Sequence, residues 1–397
     1  MKALFLSLKK FFVSLQLTVA LLILSLVLVF VATLDQVNLG IWAVQAKYFH
    51  SFFVLWHLPD TSISLPVFPG GYLIGGFLLI NLTAAHIYRF ALTWRKLGIQ
   101  LAHAGLIVLL LGELFTGIWA KETFMRIDQG ETRHYSEAFR NNELVLIDHS
   151  DPKFDDVIAV PEAVVADKKS IQHPKLPFSV TVKEYYPNSS LQMRGPGAAP
   201  SPATAGIGAQ LQALPLPVTY KPDENNLPAA FVEVSSPEGS LGTWLVSPGL
   251  GMPQTFQYGG KTWEIAMRAQ RQYYPFSLTL EKFSHDRYMG TDIPKNFSSR
   301  IRVRSDDGHV DREVLVFMNN PLRFEGMTFY QSGFDKNDTA TVLQVVRNPS
   351  WQLPYIACIM MGAGLVIQFG FSLMAFFRRR AAKASVAGGQ SPVAGNQ

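Results

Sequence analysis

Residues 97–119 read LGIQLAHAGLIVLLLGELFTGIW, an almost unbroken apolar run in which Glu113 is the one carboxylate. A helix of about 20 apolar residues is long enough to cross the hydrocarbon core of a bilayer, which is roughly 30 Å thick. The run therefore predicts a membrane-spanning helix. Three other apolar segments support the same interpretation, and the second of the four spans is the shortest. These segments are residues 11–34, 72–88 and 351–377.

Basic residues cluster at one set of span ends. The clusters lie in the first ten residues, in the short turn 89–96, and directly after the last span at Arg378, Arg379 and Arg380. If all four helices cross the membrane, these clusters lie on the same side of it, and the positive-inside rule assigns that side to the cytoplasm. We therefore expect a multi-pass protein of a bacterial inner membrane with both termini, 1–10 and 378–397, in the cytoplasm. The loop 35–71 and the domain 120–350 are then periplasmic.

The composition excludes several classes of protein. The mean hydropathy of the 397 residues is above zero, at +0.14, so a wholly soluble fold is not expected. The net charge of +5 arises mainly beside the spans, which indicates membrane topology rather than nucleic-acid binding. Cys358 is the single cysteine and lies in the fourth span, which excludes disulfides, cysteine zinc sites and covalent haem attachment through C-x-x-C-H. The first span is too long for a cleaved signal peptide and lacks an A-x-A site.

The domain 120–350 is predicted to be mainly β. Short β-rich runs alternate with turn signals such as Gly259-Gly260, a pattern typical of a sandwich or an open barrel. Residues 195–208 are rich in Pro, Ala and Gly, and we expect a disordered insertion there, between two β lobes. The fold class is thus a four-helix integral membrane protein with a large exported, mainly-β domain.

His103 is the strongest candidate for a functional residue. It lies six residues into the third span, or about 9 Å from its cytoplasmic end at 1.5 Å per residue. A titratable side chain at that depth is costly and points to function. An imidazole between apolar neighbours suits an axial haem ligand. The alternative is a packing histidine that donates a hydrogen bond to a facing carbonyl.

Two further polar residues lie in the spans. His86 lies near the cytoplasmic end of the second span, so it could pair with His103 around a haem, or it could simply face lipid headgroups. Glu113 lies about 15 Å outward of His103 along the helix. It could carry protons, but pairing with a partner helix is the simpler interpretation.

The segment 318–334 stands out in the outer domain because its aromatic residues alternate with turn residues. It predicts a bent hairpin that presents Asn320, Pro321, Tyr330 and Gln331. These residues either pack the hairpin or contact a partner protein. The five histidines of the domain show no metal-ligand spacing, and hydrolase and P-loop motifs are absent from the sequence.

The order and spacing of the sequence motifs and the membrane topology together resemble those of the ResB/CcsB family of System II cytochrome c biogenesis. The layout of that family is three helices, one exported β-rich domain and a final helix. The resemblance covers residue 11 to about residue 380. Five short motifs carry it. They are LAHAGLIVLLLG at 101–112, FSLTLEKF at 276–283, PKNFSSR at 294–300, NPLRF at 320–324 and FYQS at 329–332.

The resemblance implies a subunit of a haem-lyase complex that is not catalytic by itself. Its expected partners are a CcsA/ResC-type haem-handling membrane protein, apocytochrome c and thiol-reducing proteins. Its cargo would be non-covalent haem b, moved outward and presented for attachment. The family's transmembrane histidine matches His103, whereas His86 has no counterpart. The competing hypothesis is a membrane-anchored docking or sensor subunit that binds no haem. A small-solute transporter is disfavoured, since no inverted repeat is visible.

Overall fold

A computed structural model describes residues 2–58, 63–88, 93–152, 154–195, 197, 200–219, 221, 224–290, 294–335 and 338–388. The chain divides into two compact units. One is helical and combines the residues up to Ala120 with those from Asn348 onward, and the other is the β-rich segment Lys121–Arg347. This division agrees with the predicted fold class of apolar helices plus a large β domain.

The helical unit holds, within the described residues, four helices long and apolar enough to cross a membrane: Leu15–Leu39, Gly71–Tyr88, Leu97–Trp119 and Leu353–Ala382. A small hairpin lies between α3 and α4, in the segment expected to be an outer loop. A π-helical turn, Gln45–Phe49, precedes the hairpin, and a short 3-10 turn, Trp94–Lys96, precedes α5. The elements are α1 (Lys2–Phe12), α2 (Leu15–Leu39), α3 (Ile41–Val44), β1 (Phe53–His57), β2 (Ser64–Pro69), α4 (Gly71–Tyr88), α5 (Leu97–Trp119) and α7 (Leu353–Gly388).

Two of these bounds differ from the expected spans. The run 11–34 is divided by a break between α1 and α2, and α2 continues to Leu39. The last helix does not end at residue 377 but continues to Gly388, since Arg, Lys and Ala after the apolar run are good helix formers. Residues 389–397 of the expected tail, and residues 89–92 of the expected turn, lie outside the described part of the chain.

The break between α1 and α2 is closed by a polar residue of α4. Asn81 is only 2% exposed, and its Nδ2 donates to the carbonyls of Phe12 at 2.7 Å and Ser14 at 3.1 Å. Its Oδ1 accepts a hydrogen bond from Thr18 Oγ1 at 2.6 Å. These bonds satisfy backbone groups that the helix break would otherwise leave exposed to lipid.

Glycines let α5 and α7 approach closely. Gly98, Gly105 and Gly112 are all buried on one face of α5, seven residues apart and therefore two turns apart. A Cβ on Gly98 would lie 2.5 Å from Gly364 O, and one on Gly112 would lie 2.9 Å from Leu353 Cβ. The two helices are therefore antiparallel and in backbone contact, the small-residue packing common between membrane helices.

The β unit is built on two unusually long strands, β4 and β13, which run side by side through both of its lobes. Its main sheet has the order β15-β14-β13-β4-β3-β18-β17-β16, with β5 paired to β4 and β12 to β13. The elements are β3 (Lys121–Asp128), β4 (Thr132–Asp148), β5 (Asp156–Pro161), α6 (Glu162–Ala166), β6 (Ser170–Ile171), β7 (Ser179–Tyr186), β8 (Ser189–Met193), β9 (Leu211–Pro215), β10 (Ala229–Ser236), β11 (Gly239–Val246), β12 (Gln254–Tyr258), β13 (Lys261–Arg287), β14 (Pro294–Ser305), β15 (Asp311–Phe317), β16 (Leu322–Phe324), β17 (Met327–Phe334) and β18 (Ala340–Arg347).

Each lobe has its own apolar core. In the first lobe, the late half of β4 and the early half of β13 pack as a sandwich against the sheet β11-β10-β7-β6. In the second lobe, the end strands of the main sheet, β15 and β16, follow each other in the chain and are joined by a tight turn that holds the Phe317–Asn320 bridge. We call this second lobe the barrel. Its core includes Met125, Phe276 and Phe329, each at most 1% exposed.

The expectation of a disordered insertion at 195–208 is wrong for the described residues 200–208. Ala203 is buried, and Ile207 N donates to Gln254 Oε1 at 3.0 Å. The small residues serve close packing instead of disorder, because a Cβ on Gly208 would lie 2.5 Å from Leu245 Cβ. Residues 196, 198 and 199 lie outside the described part of the chain.

Candidate functional sites

His103 lies on the face of α5 that points away from α7. It precedes the buried Gly105 by two residues, which places it about 200° around the helix. Its side chain is exposed, as are Ile99 (43%) and Leu106 (37%), one turn away on either side. No described residue forms a hydrogen bond with the imidazole, so the facing carbonyl of the packing alternative is not found there. The site is an imidazole on an apolar, unpartnered helix face.

His86 and Glu113 are not brought together with His103. His86 is partly buried on α4, and neither a hydrogen bond nor a ring contact joins it to His103 in the described structure. Glu113 is exposed on α5. One turn further on, Thr116 instead accepts a hydrogen bond from Asn348 Nδ2 at 3.1 Å, which ties the end of α5 to the segment leading into α7. The predicted pairing of His86 and the partner role of Glu113 stay predictions.

Four separate sequence motifs converge at one end of the barrel. Ser299 of PKNFSSR lies opposite Phe283 of FSLTLEKF in the β13–β14 ladder. Its Oγ lies 2.6 Å from Oε1 of Gln331, which belongs to FYQS, and 2.8 Å from Thr341 Oγ1. Gln331 Nε2 in turn donates to Thr341 Oγ1 at 2.8 Å. The three polar side chains thus form a closed ring of hydrogen bonds within the barrel.

This ring gives Gln331 a packing function, because Ser299 and Thr341 are fully buried. Its neighbour Tyr330 is 39% exposed and remains available to a partner. The fourth motif, NPLRF, forms the turn between β15 and β16. There Asn320 is exposed and its backbone N–H donates to Phe317 O at 2.9 Å, with Pro321 directly after it.

His285 completes the same barrel end and was missed in the sequence. Its side chain is only 3% exposed, and its Nδ1 lies 2.8 Å from Asp338 Oδ1. The Phe334 and Phe283 rings lie at centroid distances of 4.4 and 6.5 Å. Phe276, Leu278 and Leu280 alternate inward along β13, and continuing that alternation would place His285 on the outer face. A bulge after Leu280 shifts that alternation by one residue, which turns Phe283 and His285 inward.

His149 lies at the end of β4, in the sandwich lobe. Its ring nitrogens lie 2.8 Å from Asp155 Oδ1 and 3.0 Å from Glu264 Oε2. The two carboxylates, Glu264 first, raise the pKa of His149 above its ordinary value because they stabilise the imidazolium. Both nitrogens are engaged, and the described residues contain no group of three or more His, Cys, Asp and Glu side chains able to hold a metal ion.

Comparison with known proteins gives the following similarities. A family model described as the ResB-like family matches residues 239–342, the segment that holds most of the barrel motifs. Protein NrfI of Wolinella succinogenes is 29% identical over 103 residues, or 26% of this chain and 11% of that protein. Cytochrome c biogenesis protein CcsB of Synechococcus sp. (strain WH7803) is 37% identical over 78 residues, or 20% of this chain and 17% of that protein.

The aligned segments therefore span less than a fifth of either relative. The similarity agrees with the resemblance of the barrel motifs, and it extends to the segment that contains His285, Gln331 and Asp338. The match to the ResB-like family model and the two cytochrome c biogenesis relatives thus support the predicted resemblance to the ResB/CcsB family.

Proposed function

We propose that this chain is a membrane subunit of cytochrome c biogenesis that passes haem to apocytochrome c together with a CcsA/ResC-type partner. The family match and the names of the two relatives support a function in cytochrome c biogenesis. The haem-handling part of the proposal rests on one observation, the exposure of His103 on an apolar helix face.

The membrane orientation in this proposal follows from the helical unit. Lys9 Nζ lies 4.0 Å above the Tyr88 ring, so the end of α1 lies beside the end of α4. Gly98 packs against Gln368, so the start of α5 lies beside the late part of α7. The three basic clusters therefore share one end of the unit, which the positive-inside rule assigns to the cytoplasm. The β domain is then periplasmic and the membrane is the bacterial inner membrane.

An exposed imidazole in an apolar span requires an occupant. Neutral imidazole facing lipid leaves its polar nitrogens unsatisfied, which is costly. Haem iron accepts an imidazole nitrogen as an axial ligand, and the macrocycle is apolar enough to lie against Ile99 and Leu106. In the proposal His103 supplies one axial ligand from this chain, and a histidine of the CcsA/ResC-type partner supplies the other. His86 remains a weaker candidate ligand.

The barrel is the part of the outer domain that we propose contacts apocytochrome c or the partner. Tyr330 and Asn320 are exposed there, close in sequence to residues that hold the hydrogen-bonded ring. Thiol-reducing proteins would act on the apocytochrome rather than on this chain, whose single cysteine lies in the last helix.

The test is a reduced-minus-oxidised visible spectrum of the detergent-purified complex of this chain with its haem-handling partner. We expect His103→Gly to lose the b-type signal and added imidazole to restore it. Ile118→Gly, an exposed apolar position about 22 Å from His103 near the other end of α5, is the matched control for a glycine in this helix and should keep the signal.

A signal that His103→Gly leaves unchanged would contradict ligation by His103. Absence of haem from the wild-type complex would favour the competing hypothesis of a docking or sensor subunit.

A further inference from the structure

The hairpin formed by β1 and β2 exposes apolar side chains on both of its faces. Six side chains of the two strands and of the residue before β1 are 43–62% exposed: Phe52, Phe53, Leu55, Trp56, Leu65 and Val67. Leu55 and Trp56 are successive residues, and successive side chains of a strand point to opposite faces. A continuous apolar surface of this kind marks a contact with a membrane or with another protein.

The hairpin is held firmly at the start of α4. Gly70 N donates to Phe52 O at 2.8 Å, and Tyr72 N donates to Ser51 O at 3.2 Å. A Cβ on Gly70 would lie 2.2 Å from Ser51 O, so the two segments pass too close for a side chain there. Val54 is only 4% exposed and packs into the same apolar cluster as residues of α2 and α4. The hairpin therefore has a fixed position relative to these two helices.

That position is at the end of the helical unit opposite the basic clusters, because the other end of α4 lies beside Lys9. The end of α5 is close by, since a Cβ on Gly117 would lie 3.9 Å from Tyr72 Oη. Trp119 at the end of α5 is 51% exposed, and Tyr355 at the start of α7 is 62% exposed. Trp and Tyr are enriched where membrane helices enter the headgroup layer. The hairpin thus continues an aromatic belt at this end of the unit.

The composition of the hairpin favours lipid over a protein partner. Between residues 48 and 88 the sequence has one charged residue, Asp60, in the segment that joins the two strands. Protein interfaces have a polar rim and are enriched in arginine. Phe and Trp without charged neighbours are instead typical of a segment at the membrane interface.

The length and the free edges of the hairpin determine how deep it lies. β1 has five residues, or about 17 Å at 3.3 Å per residue, far less than the roughly 30 Å of the hydrocarbon core. Among the described strands, β1 and β2 pair only with each other. Their outer edges therefore need hydrogen bonds from water, which the headgroup layer supplies and the hydrocarbon core does not.

We propose that the exposed sides of this hairpin lie in the headgroup layer of the outer leaflet, with phospholipid as the occupant. This anchor has a consequence for α4. The helix has 18 residues, or about 27 Å at 1.5 Å per residue, which is slightly shorter than the hydrocarbon core. Fixing its first residue at the interface keeps this short span from sliding across the bilayer.

The experiment places a fluorescent label on the hairpin and measures which quenchers reach it. Val67→Cys is labelled with bimane in a chain that also carries Cys358→Ala, and the purified chain is reconstituted in phosphatidylcholine vesicles. The quenchers are iodide on both sides of the membrane, a nitroxide on the choline headgroup, and a nitroxide near the end of an acyl chain. Control labels are placed at Glu238→Cys, in an exposed turn of the β unit, and at Val366→Cys, 73% exposed on α7.

We expect the headgroup nitroxide to quench the Val67 label more than the acyl-chain nitroxide does, and iodide quenching to be largely lost relative to the Glu238 label. The Val366 label should respond most to the acyl-chain nitroxide. Leu65→Cys, a second exposed position of the hairpin, carries the test if Val67→Cys alters the helical circular dichroism. Neither haem nor a partner protein is present, so the result is independent of the proposed function.

Four results would overturn the inference. Iodide quenching as strong as at Glu238 would place the hairpin in water, and stronger quenching by the acyl-chain nitroxide would place it in the hydrocarbon core. Protection from iodide without quenching by either lipid would mean that protein covers the hairpin. Protection that appears only after a CcsA/ResC-type partner is added to the vesicles would make the hairpin a docking surface.

Discussion

Replacing Gly98 by alanine should force α5 away from α7. The added Cβ would lie 2.5 Å from Gly364 O and 2.6 Å from Gln368 N. Comfortable contacts of a carbon atom are about 3.5–4.0 Å, so the overlap is about 1 Å. Both contacted atoms belong to the backbone of α7, so no side-chain rotation relieves the overlap and the helices must separate.

The expected loss of stability follows from a comparison with a second glycine, Gly370. Gly370→Ala adds the same methyl group on α7, where a Cβ would meet no atom within 4 Å. Both substitutions gain the same helix propensity, so their difference isolates the clash. Overpacking typically costs about 1–3 kcal/mol. We therefore expect Gly98→Ala to be less stable than Gly370→Ala by that amount, roughly a fivefold to 150-fold change in the unfolding equilibrium constant.

The assay is reversible unfolding of the purified chain in detergent micelles by increasing fractions of sodium dodecyl sulfate, followed by helical circular dichroism. The free energy of unfolding of both variants is compared with that of wild type. The reasoning is refuted if Gly98→Ala is as stable as Gly370→Ala within about 0.5 kcal/mol, the usual range of surface substitutions.

Two other predictions concern the β unit. Gln331→Leu removes both hydrogen bonds to the buried hydroxyls of the ring and should lower the free energy of unfolding of the domain by about 1–3 kcal/mol, measured by thermal unfolding. Tyr330→Ala, the neighbouring exposed position, should change the stability little. Equal effects of the two substitutions would contradict a stabilising role of the hydrogen-bonded ring. The pKa of His149 is raised in the folded state, so its pairing with Glu264 and Asp155 stabilises the fold. This stabilisation is fully present below about pH 6.5, the ordinary pKa of histidine. It is lost as the pH rises through the higher pKa of the folded state. The difference in melting temperature between wild type and His149→Gln should therefore be largest near pH 6 and shrink toward pH 9, and a difference independent of pH would contradict the assignment.

The helices were predictable because length and apolarity suffice to identify a span. Leu97–Trp119 needs no tertiary information, since every side chain but a few suits lipid. The break before Leu15 was not predictable, because it depends on Asn81, which lies more than sixty residues away in the sequence and supplies the hydrogen bonds. The prediction of disorder for residues 200–208 was wrong for a related reason. Its composition matches disorder, but its small residues are needed where the backbone crosses Leu245.

Register explains why His285 was missed. Alternation along β13 indicates the inward face only until the bulge after Leu280, and a one-residue shift moves every later side chain to the other face. The pairing of His285 with Asp338 has no local sequence signal either, because Asp338 lies far along the chain, in the segment between β17 and β18. The hydrogen-bonded ring at Gln331 likewise combines residues of three strands, so no local sequence pattern predicts it.

His103 and His285 present one physical problem in two surroundings. Each is an imidazole with at least one nitrogen that the described chain leaves without a hydrogen bond, the first at an apolar helix surface and the second inside an aromatic core. In water such a nitrogen costs nothing, but in lipid or in a protein interior it costs free energy that a structure bears only where something else binds. Asp338 adds a second difference, since it fixes the tautomer of His285, whereas no described side chain fixes that of His103.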